Sequence, residues 1–143
     1  MKNVILLLFT VLMLTMIGCQ DVTVGSLLTE DASYNPDTLV VKTELDDEPG
    51  EEDYYRSKWG APWVSTPIEG VEGTTAIYVS IKNITSTSGD SEKLWEVLSV
   101  RGDGTFEMPL HHDVPAGRYV ISLNFRNEGY SKDVNDCFTI IVK

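Results

Sequence analysis

The feature that most constrains the fold is an alternation of apolar and polar residues near the end of the chain, in which Val120 is the one apolar residue on the polar face. Residues 118–125 place an apolar side chain at every second position. These apolar positions are Tyr119, Ile121, Leu123 and Phe125. Successive side chains of an extended backbone point to opposite faces, so these four share one face. The segment is predicted to be a β-strand with one buried side.

Further short segments rich in β-branched and aromatic residues recur between turn residues. They lie at 38–43, 76–81, 95–100, 105–108 and 138–142. The dipeptide Asp103-Gly104 lies between the segments at 95–100 and 105–108, and it favours a tight hairpin turn. No long window has helical apolar spacing, and residues 91–98 could form one helical turn at most. About seven short strands in 143 residues predict one all-β domain, an antiparallel β-sandwich.

The first nineteen residues are predicted to be a targeting segment. Lys2 precedes an apolar run at residues 4–17, which ends in Gly18-Cys19. Such a run is too short for a spanning helix and has the small-residue exit of a signal peptide. The segment resembles a bacterial lipoprotein signal, in which the cysteine is acylated and becomes the new N-terminus. The resemblance implies lipidation at Cys19 and a lipid anchor in the outer membrane, with the leaflet left open.

This resemblance divides the chain into three parts. Residues 1–18 are the expected signal peptide, residues 19–36 the acylated cysteine and a polar tether, and residues 37–143 the folded domain. The chain has 11 Lys and Arg against 22 Asp and Glu, which gives a net charge of −11. Nucleic acid is not an expected partner, because binding to its phosphates requires a local surplus of basic residues. The same charge holds the body away from an anionic membrane surface.

The second half of the chain resembles immunoglobulin-like and cadherin-like domains. The resemblance rests on residues 77–80, 100–105, 116–123 and 138–142. Within them, a Gly-x-Tyr motif opens a late strand and a Phe-x-Ile-x-Val motif lies close to the end of the chain. The resemblance implies an immunoglobulin-like β-sandwich over residues 37–143. The acidic calcium motifs of cadherin junctions have no counterpart here, so no calcium site is expected.

The sequence has no strong signal for a metal, a cofactor or catalysis. His111 and His112 are adjacent, and adjacent strand residues face opposite ways, so a solvated loop is favoured over a zinc site. The acidic run at residues 46–53 lacks the ligand spacing of a calcium loop and is expected to be solvated. Motifs such as Gly-x-Ser-x-Gly and His-Glu-x-x-His are absent. We therefore expect a non-catalytic protein without a metal or cofactor.

Only two cysteines are present, Cys19 and Cys137. If Cys19 is lipidated, Cys137 has no partner for an intramolecular disulfide. Cys137 lies next to a strand-like run and is expected to be a small buried side chain rather than a reactive thiol.

The strongest candidate for a binding site is the segment at residues 54–63. It contains four aromatic residues, namely Tyr54, Tyr55, Trp59 and Trp63. Its glycine, proline and charged residues predict irregular or edge structure. Aromatic faces stack on the apolar faces of sugar rings, and neighbouring polar groups bind hydroxyls. The alternative is that Trp59 and Trp63 close one end of the domain as core residues.

The lipoprotein signal, the acidic body and the immunoglobulin-like pattern together resemble small accessory lipoproteins of glycan-uptake systems in Bacteroidota. The resemblance implies a non-catalytic outer-membrane protein that binds a glycan or neighbouring envelope proteins. The alternative is a structural or adhesive subunit that assembles through the edge of a sheet. Exposed tryptophans favour the first function, whereas two buried tryptophans and a bare edge strand favour the second.

Overall fold

The computed structural model of the protein describes residues 1–14, 25–87 and 90–143. Strands dominate the body of the described chain, which confirms the all-β class. The helices are α1 (Lys2–Leu14), α2 (Tyr54–Trp59) and α3 (Ser91–Val97). The strands are β1 (Leu27–Leu28), β2 (Thr38–Val41), β3 (Trp63–Val64), β4 (Glu72–Gly73), β5 (Tyr78–Ser86), β6 (Ser99–Val100), β7 (Phe106–Met108), β8 (Gly117–Arg126) and β9 (Ser131–Val142).

The largest sheet has four strands in the order β2-β9-β8-β5. β8 pairs antiparallel with β5 and with β9, whereas β2 runs parallel to β9, with Thr38 opposite Thr139. The parallel pair corrects the wholly antiparallel arrangement that the sequence predicted. Parallel neighbours require a long crossover, and here the connection runs through residues 42–130. Such a pairing cannot be predicted from a turn motif, because the two strands are far apart in the sequence.

A second sheet has three antiparallel strands in the order β3-β7-β6, and β1 pairs with β4 in a separate ribbon. The β6–β7 hairpin turns at Asp103-Gly104, as the sequence predicted. The Gly104 N–H donates to the Arg101 carbonyl oxygen over 2.9 Å. Gly104 has φ +82°, a backbone conformation that glycine adopts without the steric cost of a side chain.

One hydrophobic core joins the two larger sheets. The four apolar residues of β8 are each at most 2% exposed, which confirms the alternation read from the sequence. They are Tyr119, Ile121, Leu123 and Phe125. Across the core, the rings of Phe106 in β7 and Phe138 in β9 stack with their centroids 5.0 Å apart. Aromatic contact of this kind adds to the stabilisation that area burial provides.

The packed body begins ahead of the expected boundary at residue 37. Leu27 is 2% exposed and Tyr34 is 6% exposed. The Tyr34 hydroxyl donates to the Gly104 carbonyl oxygen over 2.5 Å, and its ring lies 5.5 and 4.7 Å from two core phenylalanine rings. Burial raises the pKa of Tyr34 well above its usual value. Leu27 and Tyr34, which the sequence assigned to the tether, therefore contribute to the core.

The first half of the predicted strand at residues 95–100 belongs to the end of a helix. The Asp90 carboxylate accepts a hydrogen bond from the Glu92 N–H over 2.9 Å and caps the start of α3. Leu94 is 0% exposed and Leu98, one turn later, is 7% exposed. A pair of buried leucines at this spacing holds a short helix against the sheets. Only the last two residues of the predicted strand are extended, as β6.

α1 contains residues 4–14 of the apolar run of the predicted signal peptide, and its side chains at residues 2–9 are exposed. Among the residues that the structure describes, no helix has both the length and the apolar character needed to cross a bilayer. Cys19 lies outside the described residues, so its lipidation stays a prediction.

Candidate functional site

The aromatic segment begins as a helix, α2, where the sequence predicted irregular structure. None of its residues is buried, so the apolar spacing that usually reveals a helix is missing. The helix ends at Gly60, which adopts a left-handed conformation with φ 63°. Its N–H bonds to carbonyl oxygens of the last turn, a common way to end a helix. Three residues later the chain enters β3, so the backbone changes direction sharply inside the candidate site.

Three of the four predicted aromatic residues lie together on α2. Tyr55 and Trp59 stand one turn apart, and their ring centroids are 5.1 Å apart with the planes tilted by 33°. Trp59 is 72% exposed and Tyr55 is 59% exposed. Tyr54 is half-buried and meets Tyr55 edge-on at 5.2 Å. We call Tyr54, Tyr55 and Trp59 the aromatic face of α2.

Trp63 does not belong to this surface. It is 5% exposed, and its indole Nε1 donates to the Leu110 carbonyl oxygen over 3.3 Å. In β3 it stands opposite Met108 of β7, a residue that is 0% exposed. Trp63 therefore fills the core, which corrects its inclusion among the surface residues. The core alternative holds for Trp63, while Trp59 projects into solvent.

Arg56 joins the aromatic face to the core, a role that no sequence pattern indicated. Its Nη1 donates to the Pro62 carbonyl oxygen over 2.8 Å. Its guanidinium carbon also lies 4.3 Å from the centroid of the Trp63 ring. A cation over an indole face is attracted by the ring quadrupole. Arg56 therefore holds α2 in a fixed position relative to β3.

The start of α2 is fixed by a partly buried ion pair. Lys42 follows β2, and its Nζ lies 2.5 Å from a carboxylate oxygen of Asp53, whose side chain is 7% exposed. This hydrogen bond raises the pKa of Lys42. Asp46 is a second partner of Lys42 at 3.4 Å. Residues 46–52 are exposed, as expected for a solvated acidic loop, and only Asp53 turns inward.

A shallow cavity of about 430 Å³ opens beside the aromatic face. It is lined by Glu52, Asp53, Tyr55, Arg56, Trp59 and Ala61. The wall combines two flat rings with two carboxylates and a guanidinium within a few residues. Flat apolar faces and fixed hydrogen-bonding groups are the two elements that bind a polyhydroxylated ring. The cavity therefore presents both elements on one surface.

The histidine pair does not form a metal centre in the described structure. Asp113 is paired with Lys93 at 2.9 Å, and His111 is exposed to solvent. His112 is half-buried, and burial lowers its pKa. Within the described ranges, no group of three or more His, Cys, Asp or Glu side chains could hold a metal ion.

Cys137 is a free thiol in β9 and packs against the hydrophobic core. Its Sγ lies 3.5 Å from the Ile121 carbonyl oxygen. Cys137 is half-buried, where the sequence predicted a fully buried side chain. Burial raises the pKa of Cys137 to about 11, which keeps the thiol protonated at neutral pH.

No known protein family and no curated protein matches this sequence. Among solved structures, the chain is similar to a SusE-like surface-located polysaccharide-binding protein from the heparin utilisation locus of Bacteroides thetaiotaomicron. The TM-score is 0.52 and the identity 13%, over 83% of this chain and 15% of that protein. At this identity the likeness shows the fold alone, and the chain spans a small part of the neighbour's length. The fold is thus one that a surface-located binding protein also uses.

Proposed function

We propose that this chain is a non-catalytic accessory binding protein of a glycan-uptake system, held at the outer membrane by lipid on Cys19. Its body is an immunoglobulin-like β-sandwich, and the aromatic face of α2 is the surface that binds the glycan. The binding residues are Tyr54, Tyr55 and Trp59, whereas Trp63 supports the fold beneath them. The similarity to a polysaccharide-binding protein of a Bacteroides surface supports the proposal.

The observation that carries the proposal is the exposure of Trp59, 72% of whose surface faces solvent while its ring rests 5.1 Å from Tyr55. A pair of large rings left in water is unfavourable for the free protein, because apolar surface stays exposed. Such pairs mark interaction sites. Each ring contributes on the order of 1 kcal/mol on stacking, and Arg56 and Glu52 supply a donor and acceptors for hydroxyl groups.

The negative charge of the chain limits which class of glycan the site is expected to bind. The cavity borders the exposed acidic loop at residues 46–52, and the whole chain carries a net charge of −11. This field repels a polyanion and has little effect on a neutral polymer. A neutral polysaccharide is therefore the expected ligand, in contrast to a sulfated one.

Affinity gel electrophoresis of the Trp59→Ala protein tests the site. Gels containing dextran, galactomannan, xylan or heparin identify the polymer that retards the wild-type protein, with a Kd in the range of ~0.1–1 mM. We expect a neutral polymer to retard it and Trp59→Ala to weaken the retardation about tenfold or more in apparent Kd. The free energy of unfolding should change by less than about 0.5 kcal/mol, because Trp59 is exposed.

Trp95→Ala is the matched control, because Trp95 lies on α3 and is 41% exposed. It removes the same type of side chain from a different surface and should leave retardation unchanged. Equal retardation of wild type and Trp59→Ala, or no retardation of wild type in any gel, would contradict the proposed function.

Lipidation has its own test. Cells that make the wild-type protein should incorporate a clickable palmitate analogue into it, and Cys19→Ala should remain unlabelled and unprocessed. Cys137→Ala is the control, because it removes the other cysteine of the chain and should label normally. Normal labelling of Cys19→Ala would refute the anchor.

A second candidate function is assembly through a sheet edge. β5 spans nine residues at one edge of the four-stranded sheet, where unpaired backbone groups could join another chain. Lys82 stands in the middle of β5, and the register shifts between Ile81 and Asn83. A central lysine and a bulge are devices that discourage edge pairing, so glycan binding is the better-supported function. A stable oligomer in light scattering, with no glycan retardation, would favour assembly.

A further inference from the structure

A second cavity lies at the end of the four-stranded sheet opposite α2. Its volume is about 420 Å³. It is lined by Thr75, Ala76, Tyr78, Arg126, Asn127 and Glu128. Tyr78 begins β5 and pairs with Arg126 at the end of β8. The start of α2 is joined to the end of β2 by the Lys42–Asp53 ion pair, and the end of β2 lies near the start of β8. The ten residues of β8 therefore separate the two cavities by roughly 30 Å.

Tyr78 and Arg126 present two free groups on the same surface. They are direct partners across an antiparallel pair, so their side chains project to the same side of the sheet. Tyr78 is 63% exposed. In the part of the chain that the structure describes, Arg126 and Glu128 form no ion pair or side-chain hydrogen bond. An exposed ring, a free cation and a free carboxylate thus share one cavity.

The floor of this cavity is rigid because Asn127 ties three segments together. Asn127 is 7% exposed, and its amide Nδ2 donates to the carbonyl oxygens of Ser26 over 2.7 Å and Thr74 over 3.2 Å. Its Oδ1 accepts from the Tyr130 N–H over 2.9 Å. The neighbours of Asn127 in the chain, Arg126 and Glu128, are thereby held in place before a ligand arrives. A fixed site loses less conformational entropy on binding than a mobile one.

We propose that this cavity is a second saccharide subsite, which binds an uncharged sugar unit of the same polysaccharide. The Tyr78 ring stacks on the apolar face of the sugar, the Arg126 guanidinium donates to hydroxyl oxygens and the Glu128 carboxylate accepts from hydroxyl groups. The two opposite charges cancel within the cavity, so it favours neither an anion nor a cation, whereas a neutral polyol can use both groups as hydrogen-bond partners.

The inference rests on the proposed function and extends it from one site to two. A polymer that occupies the aromatic face of α2 and this subsite together binds with an avidity above that of either site. The gain requires one chain long enough to reach both ends of the sheet.

The experiment compares Tyr78→Ala, Trp59→Ala and the double variant in gels of dextran, galactomannan and xylan. We expect each single variant to weaken retardation about tenfold or more in apparent Kd, and the double variant to migrate without retardation. Tyr78→Phe keeps the stacking ring and should be retarded like wild type. Because Tyr78 is exposed, the melting temperature of Tyr78→Ala should stay close to that of wild type.

The outcomes separate this inference from the proposed function. If Tyr78→Ala is retarded like wild type while Trp59→Ala is retarded less, the second subsite is refuted and the aromatic face stands. If Tyr78→Ala alone weakens retardation, the subsite stands and the aromatic face falls. If Tyr78→Ala instead reduces binding to vesicles that contain phosphatidylglycerol, with retardation unchanged, the cavity contacts lipid and the inference is overturned.

Discussion

Trp59 and Trp63 are four residues apart and have opposite surroundings. Trp59 ends α2 with 72% of its surface exposed, whereas Trp63 lies in β3 with 5% exposed. Between them, Gly60 turns left-handed and Pro62 precedes the strand, so the chain leaves the surface and enters the core within three residues. The backbone turn, and not the residue type, therefore decides which of the two tryptophans is exposed to solvent.

The two regions are nevertheless coupled. Arg56 lies on α2, yet its guanidinium rests on the Trp63 ring and bonds to the chain just before β3. The exposed aromatic face therefore contacts the core residue Trp63 through the side chain of Arg56. A change at Trp63 should reach the surface, whereas a change at Trp59 should not reach the core.

Trp63→Ala should have the largest effect. We expect a loss of about 3–5 kcal/mol in the free energy of unfolding, measured by urea denaturation, because the truncation leaves a cavity in the core. Trp63→Phe keeps much of the volume and loses only the hydrogen bond to Leu110, so it should cost clearly less. A loss below about 1 kcal/mol for Trp63→Ala would show that Trp63 is not a core residue.

Gly60→Ala tests the turn between the two tryptophans. No atom lies within 4 Å of the position that a Cβ would occupy, so the cost comes from the left-handed backbone alone. We expect a loss of about 1 kcal/mol in urea denaturation. Gly102→Ala is the matched control, because that site is equally open and no left-handed φ is recorded there. Equal effects of the two variants would contradict the role of the turn.

The smallest effect we expect is a pH dependence of the stability, caused by His112. This residue lies two positions after Leu110, whose carbonyl oxygen accepts the hydrogen bond from Trp63. Burial lowers the pKa of His112 below its ordinary value of 6.5, so near that pH the unfolded chain binds more protons than the folded protein. This contribution to stability is present above pH 6.5 and is lost as the pH falls below it.

The measurement is the melting temperature between pH 7.5 and pH 5. His112→Asn should reduce the fall that wild type shows, whereas His111→Asn should retain it, because His111 is exposed. A fall of equal size in wild type and His112→Asn would contradict the assignment.

The parts of the fold that could be predicted were those encoded by local patterns. The alternation of β8 and the Asp103-Gly104 turn both depend on residues close in sequence, and both were confirmed. The pairing of β2 with β9 joins residues about a hundred positions apart and leaves no local pattern. The sequence predicted one helical turn at most for residues 91–98 and so underestimated α3, which Asp90 caps and in which Leu94 is followed by Leu98 one turn later.

The candidate site was predicted by composition and not by geometry. The cluster of aromatic residues indicated where to look, and three of its four members lie together on α2. Which tryptophan would be exposed depends on the turn at Gly60 and on the contact between Arg56 and Trp63, which joins a helix to a strand. Such a contact follows from three-dimensional packing and has no sequence motif.

The hydrogen bond from Asn127 to Ser26 also limits how far the Tyr78 end of the sheet can lie from Cys19. Ser26 is fixed at the Tyr78 end of the sheet, and it follows Cys19 by 26 − 19 = 7 positions, a reach of at most ~25 Å when fully extended. If lipid on Cys19 anchors the chain, as proposed, the Tyr78 end of the sheet stays within this reach of the bilayer. The aromatic face of α2 then lies at the other end of the sheet, and a polysaccharide that binds both cavities has to span the length of β8.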